Sequence, residues 1–297
     1  MTFDTITLVS DVGLADERVG VIHAVLHQMA PGVSVIDLAH EIEPHDVRAA
    51  SLVLARSVGY LPPGIVVVGV DPGAGSDRRL LALSVADGNA VFVGPDNGVM
   101  AAAVAMIGGA DSGVSLDDTE FHLDGSTGSD ALRDILVPVA AHLCTGVPMA
   151  SMGSPVDTAT LVPGLMPVAR WEDDGSVICE ILWTDRFGRC QLNVDADDVE
   201  PFGPRVGISM SGTRRTALRV PSSAQLGTGE IGLVVDSSGL MSLVADRSSV
   251  AEELGLETGD EVILTEADAP TPVSTAVTIG ASRGGETDQD TIQEQPS

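Results

Sequence analysis

An aspartate directly after an unbroken apolar run, with an arginine seven residues later across a glycine-rich turn, is a pattern that can do acid–base chemistry. Ile65 to Val70 is such a run, flanked by Pro62-Pro63-Gly64 and Asp71-Pro72-Gly73, and Arg78-Arg79 closes the loop. A carboxylate at Asp71 can take a proton while the Arg78 guanidinium balances its charge. The same residues can equally form a structural turn with a surface ion pair. The loop is not of the phosphate-binding kind, because the Gly-Lys-Ser/Thr ending is missing.

A second cluster, Ser10-Asp11-Val12-Gly13 with Asp16, follows the β-branched segment Ile6 to Val9. In open α/β sheets ligands bind outside the carboxyl ends of the strands, where an aspartate can accept both hydrogen bonds of a ribose diol. A turn aspartate capping the next helix is the plainer reading. Gly94-Pro95-Asp96-Asn97-Gly98, taken alone, reads as a turn and N-cap. His23 and His27 are four apart and share a helical face, but no H-E-x-x-H glutamate or third ligand accompanies them, so no metal site is expected. His40, His45, His122 and His142 are scattered, and no G-x-S-x-G elbow supports a Ser/His/Asp arrangement.

These residues need elements to position them. Helical spacing in Val19 to Met29 and Val47 to Val58 alternates with strand-like Val33 to Leu38 and Ile65 to Val70, with Asp46 as an N-cap. Leu80 to Val85 and Ala90 to Val93 form a hairpin around Asp87-Gly88, followed by a helix from Gly98 to about Met106. Residues 108–130 are rich in Gly, Ser, Thr and Asp and read as loop, before a helix over Leu132 to Cys144. The alternation predicts an N-terminal α/β domain over residues 1–150 with a largely parallel sheet. Residues 151–170, rich in Pro and Gly, read as a linker. Seven short strand candidates between Val177 and Leu264 predict a smaller C-terminal β barrel or sandwich over 171–265. The polar remainder, 266–297, reads as a disordered tail.

Composition bounds the partners. The 297 residues carry 43 acidic groups against 15 basic ones, all arginine, for a formal charge of −28. With no basic cluster, binding to nucleic acid or to an anionic membrane is not expected. No apolar run approaches the roughly 20 residues that span a bilayer. Cys144, Cys179 and Cys190 are an odd, widely spaced set, which suggests neither disulfides nor a zinc knuckle and fits a reducing cytoplasm.

Taken in order, the motifs resemble the S-adenosylmethionine hydroxide adenosyltransferase family, adenosine-forming hydrolases related to fluorinases and chlorinases. The resemblance rests on Ser10-Asp11-Val12-Gly13-Leu14-Ala15-Asp16, His40-Glu41-Ile42-Glu43-Pro44-His45-Asp46, Asp71-Pro72-Gly73-Ala74-Gly75 with Arg78-Arg79, and Gly94-Pro95-Asp96-Asn97-Gly98. It extends through Arg133-Asp134 with Pro138-Val139-Ala140-Ala141-His142, then Asp185-Arg186-Phe187-Gly188 and Asp236-Ser237-Ser238-Gly239. Each is short; seven in fixed order are specific.

The resemblance implies hydrolysis of S-adenosylmethionine to adenosine and L-methionine, water attacking the ribose 5′ carbon in line, with no metal or separate cofactor. Asp71 and Arg78 match catalytic positions. Asp11 and Asp16 would lie near the ribose, His45 beside the substrate, and Asn97 in the binding set. Asp185, Phe187 and Ser237 would face the amino acid end and the adenine from a neighbouring subunit of a homotrimer. The family's catalytic histidine position is Ala131 here, with His122 a nearby substitute. Arg189 and Ser238 stand where the halogenases have asparagine and arginine. Halide-dependent halogenation is disfavoured by a carboxylate at Asp71, which repels a halide. Binding of adenosine or S-adenosylmethionine without turnover is the other alternative.

Overall fold

The computed structural model describes residues 2–73, 75–125, 130–164, 166–210 and 212–267. The first sheet contains seven strands in the order β2-β1-β3-β5-β4-β6-β7. They are β1 (Thr5–Ser10), β2 (Ser34–Ala39), β3 (Gly64–Gly69), β4 (Leu80–Val85), β5 (Ala90–Pro95), β6 (Ala110–Ser115) and β7 (Pro155–Val156). The four strands β2, β1, β3 and β5 are parallel. The expected hairpin then continues the sheet as an antiparallel half through β4, β6 and β7.

Successive side chains of β3 point to opposite faces, and both faces are covered. Ile65 and Val67 join Ile6 and Leu8 under α1 (Arg18–Met29) and the helix at Val137–Cys144, whereas Val66 and Val68 join Leu81 and Phe92 under α2 (Val47–Ser57) and α3 (Ala101–Met106). That double burial is why Ile65 to Val68 is apolar without alternation. Asp46 caps α2 as expected, its carboxylate accepting from the Ala49 backbone amide at 2.8 Å. The helix Val137–Cys144, α4, is entered through a π-turn at Leu132–Leu136.

One expectation is corrected. Ala110–Ser115, expected as loop, is strand β6: its small polar sequence lacks a strand signature, and pairing with β4 on one side and β7 on the other holds it extended. Within 151–170, Pro155–Val156 thus belongs to the first sheet. Asp96 fastens the next stretch by accepting from Arg79 Nε at 3.0 Å and from the Val162 amide at 2.9 Å.

The second sheet comprises β8 (Arg170–Trp171), β9 (Val177–Thr184), β10 (Cys190–Asp195), β11 (Arg205–Met210), β12 (Thr213–Arg219), β13 (Ile231–Val235), β14 (Leu240–Val244) and β15 (Glu261–Glu266). Pairing of β10 with both β14 and β9 closes seven of these strands into a barrel, and β8 adds to β9 from outside. Among the described residues of this sheet, only β12 and β13 pair in parallel. Closure removes the edges that an open sandwich would leave. Its interior is aliphatic, with Ile181, Leu192, Ile208, Leu243 and Leu264 essentially inaccessible. Ser211 and residues 268–297, most of the expected tail, lie outside the described residues; Glu266 ends β15. Cys144, Cys179 and Cys190 are free and buried, and burial pushes the Cys179 thiol up to about 12 and Cys144 to about 11.

Candidate active site

Strands β1 and β3 are parallel neighbours with Ser10 opposite Gly69. The chain therefore delivers Asp11 and, two residues past β3, Asp71 to the same carboxyl edge of the sheet. Asp71 is mostly buried, its side chain 11% exposed, and its Oδ1 accepts from the Gly73 amide at 2.8 Å while Arg78 Nε approaches to 3.1 Å. Gly73 leaves room for this pair: a Cβ there would fall 2.6 Å from the Arg78 guanidinium, which lies across it and would have to shift. Asn97 supports the same strand end: its Nδ2 donates to the Val70 carbonyl at 3.0 Å and its Oδ1 accepts from the Val99 amide at 3.1 Å.

Asp11 is held differently. Its Oδ2 accepts from the His45 backbone amide at 2.8 Å, and His45 adopts a left-handed φ of +70° to offer that amide. A non-glycine residue in that region is strained, and such strain collects where a surrounding network enforces it. The network starts at Ser10, whose hydroxyl lies 2.7 Å from His40 Nδ1; His40 Nε2 lies 2.9 Å from Asp37, which His23 also approaches at 2.9 Å. The Gly13 amide donates to the His40 carbonyl at 2.7 Å. Ser10 is only 1% exposed, so the Ser10-His40-Asp37 chain ties two loops together and presents no nucleophile. Burial alone raises the Asp37 pKa, yet hydrogen bonds and charge from His40 and His23 bring it below the ordinary carboxylate value.

A cavity of about 210 Å³ joins Asp11, His45 and Asp71 with Arg18, Asp130 and Ala131. A second cavity, of about 400 Å³, is lined by Asp71, Arg78, Asp117 and again Ala131. Asp71 and Ala131 thus line both spaces, and a carboxylate there can meet a water in either. Position 131 contributes only a methyl group there. His122 lines neither cavity, and its Nε2 sits 3.2 Å from the Leu116 carbonyl.

The remaining expected residues divide. Asp185 and Ser237 line a third cavity of about 550 Å³ on the barrel, together with Trp183, Gln191, Asp236 and Arg56. Phe187 is 68% exposed, with Arg189 over its ring at 5.9 Å. Asp16 is exposed, accepts from the Arg18 amide at 3.0 Å and lines none of these cavities. Asn97 spends both ends of its amide on backbone groups. Arg18, Arg56 and Gln191 escaped sequence reasoning because each sits inside an ordinary helix or strand pattern. Among the described residues, no group of three His, Cys, Asp or Glu side chains is placed to hold a metal ion, and no helix is long and apolar enough to cross a membrane.

Comparison with known proteins gives this arrangement a family. Residues 6–153 match the SAM hydroxide adenosyltransferase N-terminal domain and residues 179–263 its C-terminal domain. The chain is 38% identical over 260 residues to an (R)-S-adenosyl-L-methionine hydrolase from Salinispora tropica, covering 88% of this chain and 97% of that one. A fluorinase from Actinoplanes sp. is more distant, 22% identical over 291 residues, with 88% and 97% covered. A crystal structure of an uncharacterized conserved protein from Thermotoga maritima superposes with a TM-score of 0.79 at 28% identity, covering 87% of this chain and 99% of that one. The chain belongs to the SAM hydroxide adenosyltransferase family.

Proposed function

We propose that the protein hydrolyses S-adenosylmethionine to adenosine and L-methionine. Water or hydroxide attacks the ribose 5′ carbon opposite the sulfonium; the new C–O bond forms as the C–S bond breaks, and its electron pair leaves on sulfur. The leaving group is already activated and departs neutral, so positioning the oxygen nucleophile is the main task. Asp71 takes the proton that water loses, and Arg78 supports the developing hydroxide charge. Asp11, at the neighbouring strand end, faces the ribose. The observation that carries this reading is the Asp71–Arg78 pair at the carboxyl edge of the parallel strands, with Asp71 lining one cavity with Asp11. The scheme calls for no metal or separate cofactor.

The working unit is a homotrimer in the cytoplasm. Asp185 and Ser237 line a cavity that shares no residue with those around Asp71, and a neighbouring subunit brings the two sets together. Three buried free thiols fit a reducing compartment. Chromatography of S-adenosylmethionine incubated with the protein, with and without halide, tests the reaction: adenosine in both samples is expected. A halogenated adenosine would replace hydrolysis with halogenation, and unchanged ligand would leave a binding protein. Light scattering of the same active sample should give three times the chain mass; an active monomer would overturn the shared site.

A further inference from the structure

Arg48, Leu52 and Arg56 are four residues apart on α2 and so share one face. Arg48 Nη1 pairs with Glu180 Oε1 at 2.5 Å, and the Arg56 guanidinium lies 4.4 Å from the centre of the Trp183 ring. Both partners belong to β9. A helix of the first sheet thereby lies along the barrel wall and inserts Arg56 into a cavity otherwise lined by C-terminal residues.

Inside that cavity Asp236 is already satisfied. Its Oδ2 accepts from Gln191 Nε2 at 2.6 Å and from the Ser242 hydroxyl at 3.1 Å, and its Oδ1 accepts from the Ser238 amide at 2.7 Å. Because the Gln191 amide nitrogen is committed to Asp236, its Oε1 is the free end. That oxygen is buried without a hydrogen-bond partner, on a side chain only 3% exposed, and Arg56 Nη1 is likewise buried and unpartnered. Leaving a buried donor or acceptor unmet costs free energy. One missing donor and one missing acceptor in the same cavity describe a ligand bearing both signs of polarity on a small frame. Burial lowers the Arg56 pKa against the opposing pull of the Asp236 charge, the signature of a cation held out of water. Arg189 also lines the cavity but is exposed over Phe187, and Ser238 carries no charge, so half-buried Arg56 is the more enclosed cation there.

Taking S-adenosylmethionine as the substrate, as proposed above, we propose that Arg56 selects its amino acid end by binding the α-carboxylate, while Gln191 Oε1 receives the α-ammonium. The contact is a specificity determinant contributed by the N-terminal half to a C-terminal cavity. It is uniform binding, present before and during the chemical step, so it belongs in KM and leaves kcat alone.

The test compares S-adenosylmethionine with the analogue whose α-carboxylate is replaced by hydrogen, using the full chain and the variants R56M and R56K. R56M is expected to raise KM for S-adenosylmethionine by roughly 10- to 100-fold, the range for losing a hydrogen bond to a charged group, with kcat little changed. KM for the analogue should stay put, and R56K should recover part of the preference. Equal effects on both compounds, or none, would overturn the assignment. Should R56M fail to fold by its melting curve, R56K carries the comparison, and unaltered discrimination there overturns it. Direct titration separates this inference from the hydrolysis reading. Carboxylate-dependent binding that R56M abolishes, in a protein without turnover, keeps the Arg56 role and removes hydrolysis; absence of binding by the unmodified chain removes both.

Discussion

The cavities around Asp71 and the cavity on the barrel differ in how their polar groups are spent. Asp71 is met by Arg78 and the Gly73 amide, and Asp11 by the His45 amide, so the carboxylates at the sheet edge are fixed before any ligand arrives. On the barrel, Arg56 Nη1 and Gln191 Oε1 are buried without a hydrogen-bond partner, whereas Arg78 Nε, also without an aligned hydrogen bond, still lies 3.1 Å from the carboxylate it is paired with. Groups that act on a transition state gain from being immobile, because no reorganisation is then needed during the reaction. Groups that recognise a ligand gain from being incomplete without it, because the ligand then satisfies what the protein leaves open. The contrast fits the proposed division, with chemistry at the sheet edge and selection on the barrel.

Asp71→Asn is the hardest blow to that contrast. It keeps the shape but removes the anion that accepts the proton, so turnover should fall by about 10²- to 10⁴-fold, the usual contribution of a general base, while affinity measured by titration changes little. A stable variant with undiminished adenosine release would make Asp71 a structural partner of Arg78 and return the sheet edge to scaffolding.

Gly73→Ala sharpens the claim that immobility matters. The added Cβ meets the Arg78 guanidinium, which must swing away from Asp71 without loss of either charge. Misplacing a catalytic group by about 1 Å can cost ~10²-fold, so kcat should drop by up to that factor while the melting temperature holds. A fall in melting temperature with normal kcat would argue that the pair serves stability alone.

The smallest effect concerns Asp37, which braces the loops behind Asp11. Its folded-state pKa is depressed, so its stabilisation is present above the ordinary carboxylate range of about pH 4 and fades as pH falls through the lowered value. Because the side chain is two-fifths exposed, the contribution is under about 1 kcal/mol. Asp37→Asn should flatten the acid side of the melting temperature against pH and leave neutral-pH affinity for L-methionine untouched. An unchanged acid limb would remove Asp37 from the bracing network.

Much of this was legible in the sequence because burial leaves a strong pattern. Ile65 to Val68 reads as a doubly covered strand, so both β3 and the placement of Asp71 just past its carboxyl end follow from one apolar run. The barrel strands follow from short β-branched segments between turns. Strand β6 does not, because Ala110–Ser115 is extended by its neighbours and not by its own side chains. Ser10, Asp37 and His40 join only through the parallel pairing of β1 with β2, which no local spacing announces. Arg56 reads as one more polar residue on an amphipathic helix, and its meaning comes from Trp183, far along the chain.

The barrel closes through a long-range pairing: Glu261 to Leu264 on β15 meet Glu180 to Val177 on β9. During synthesis the first sheet is complete in sequence once Val156 has emerged, but β9 must wait about eighty residues for its partner. Until then β9 and β11 expose the edges that β15 will cover, and unpaired edges invite association between chains. Nascent chains halted before Glu261 would carry a finished sheet beside an open barrel. The last described strand is therefore the lock of the second domain, and the order of translation brings it after the strands it joins.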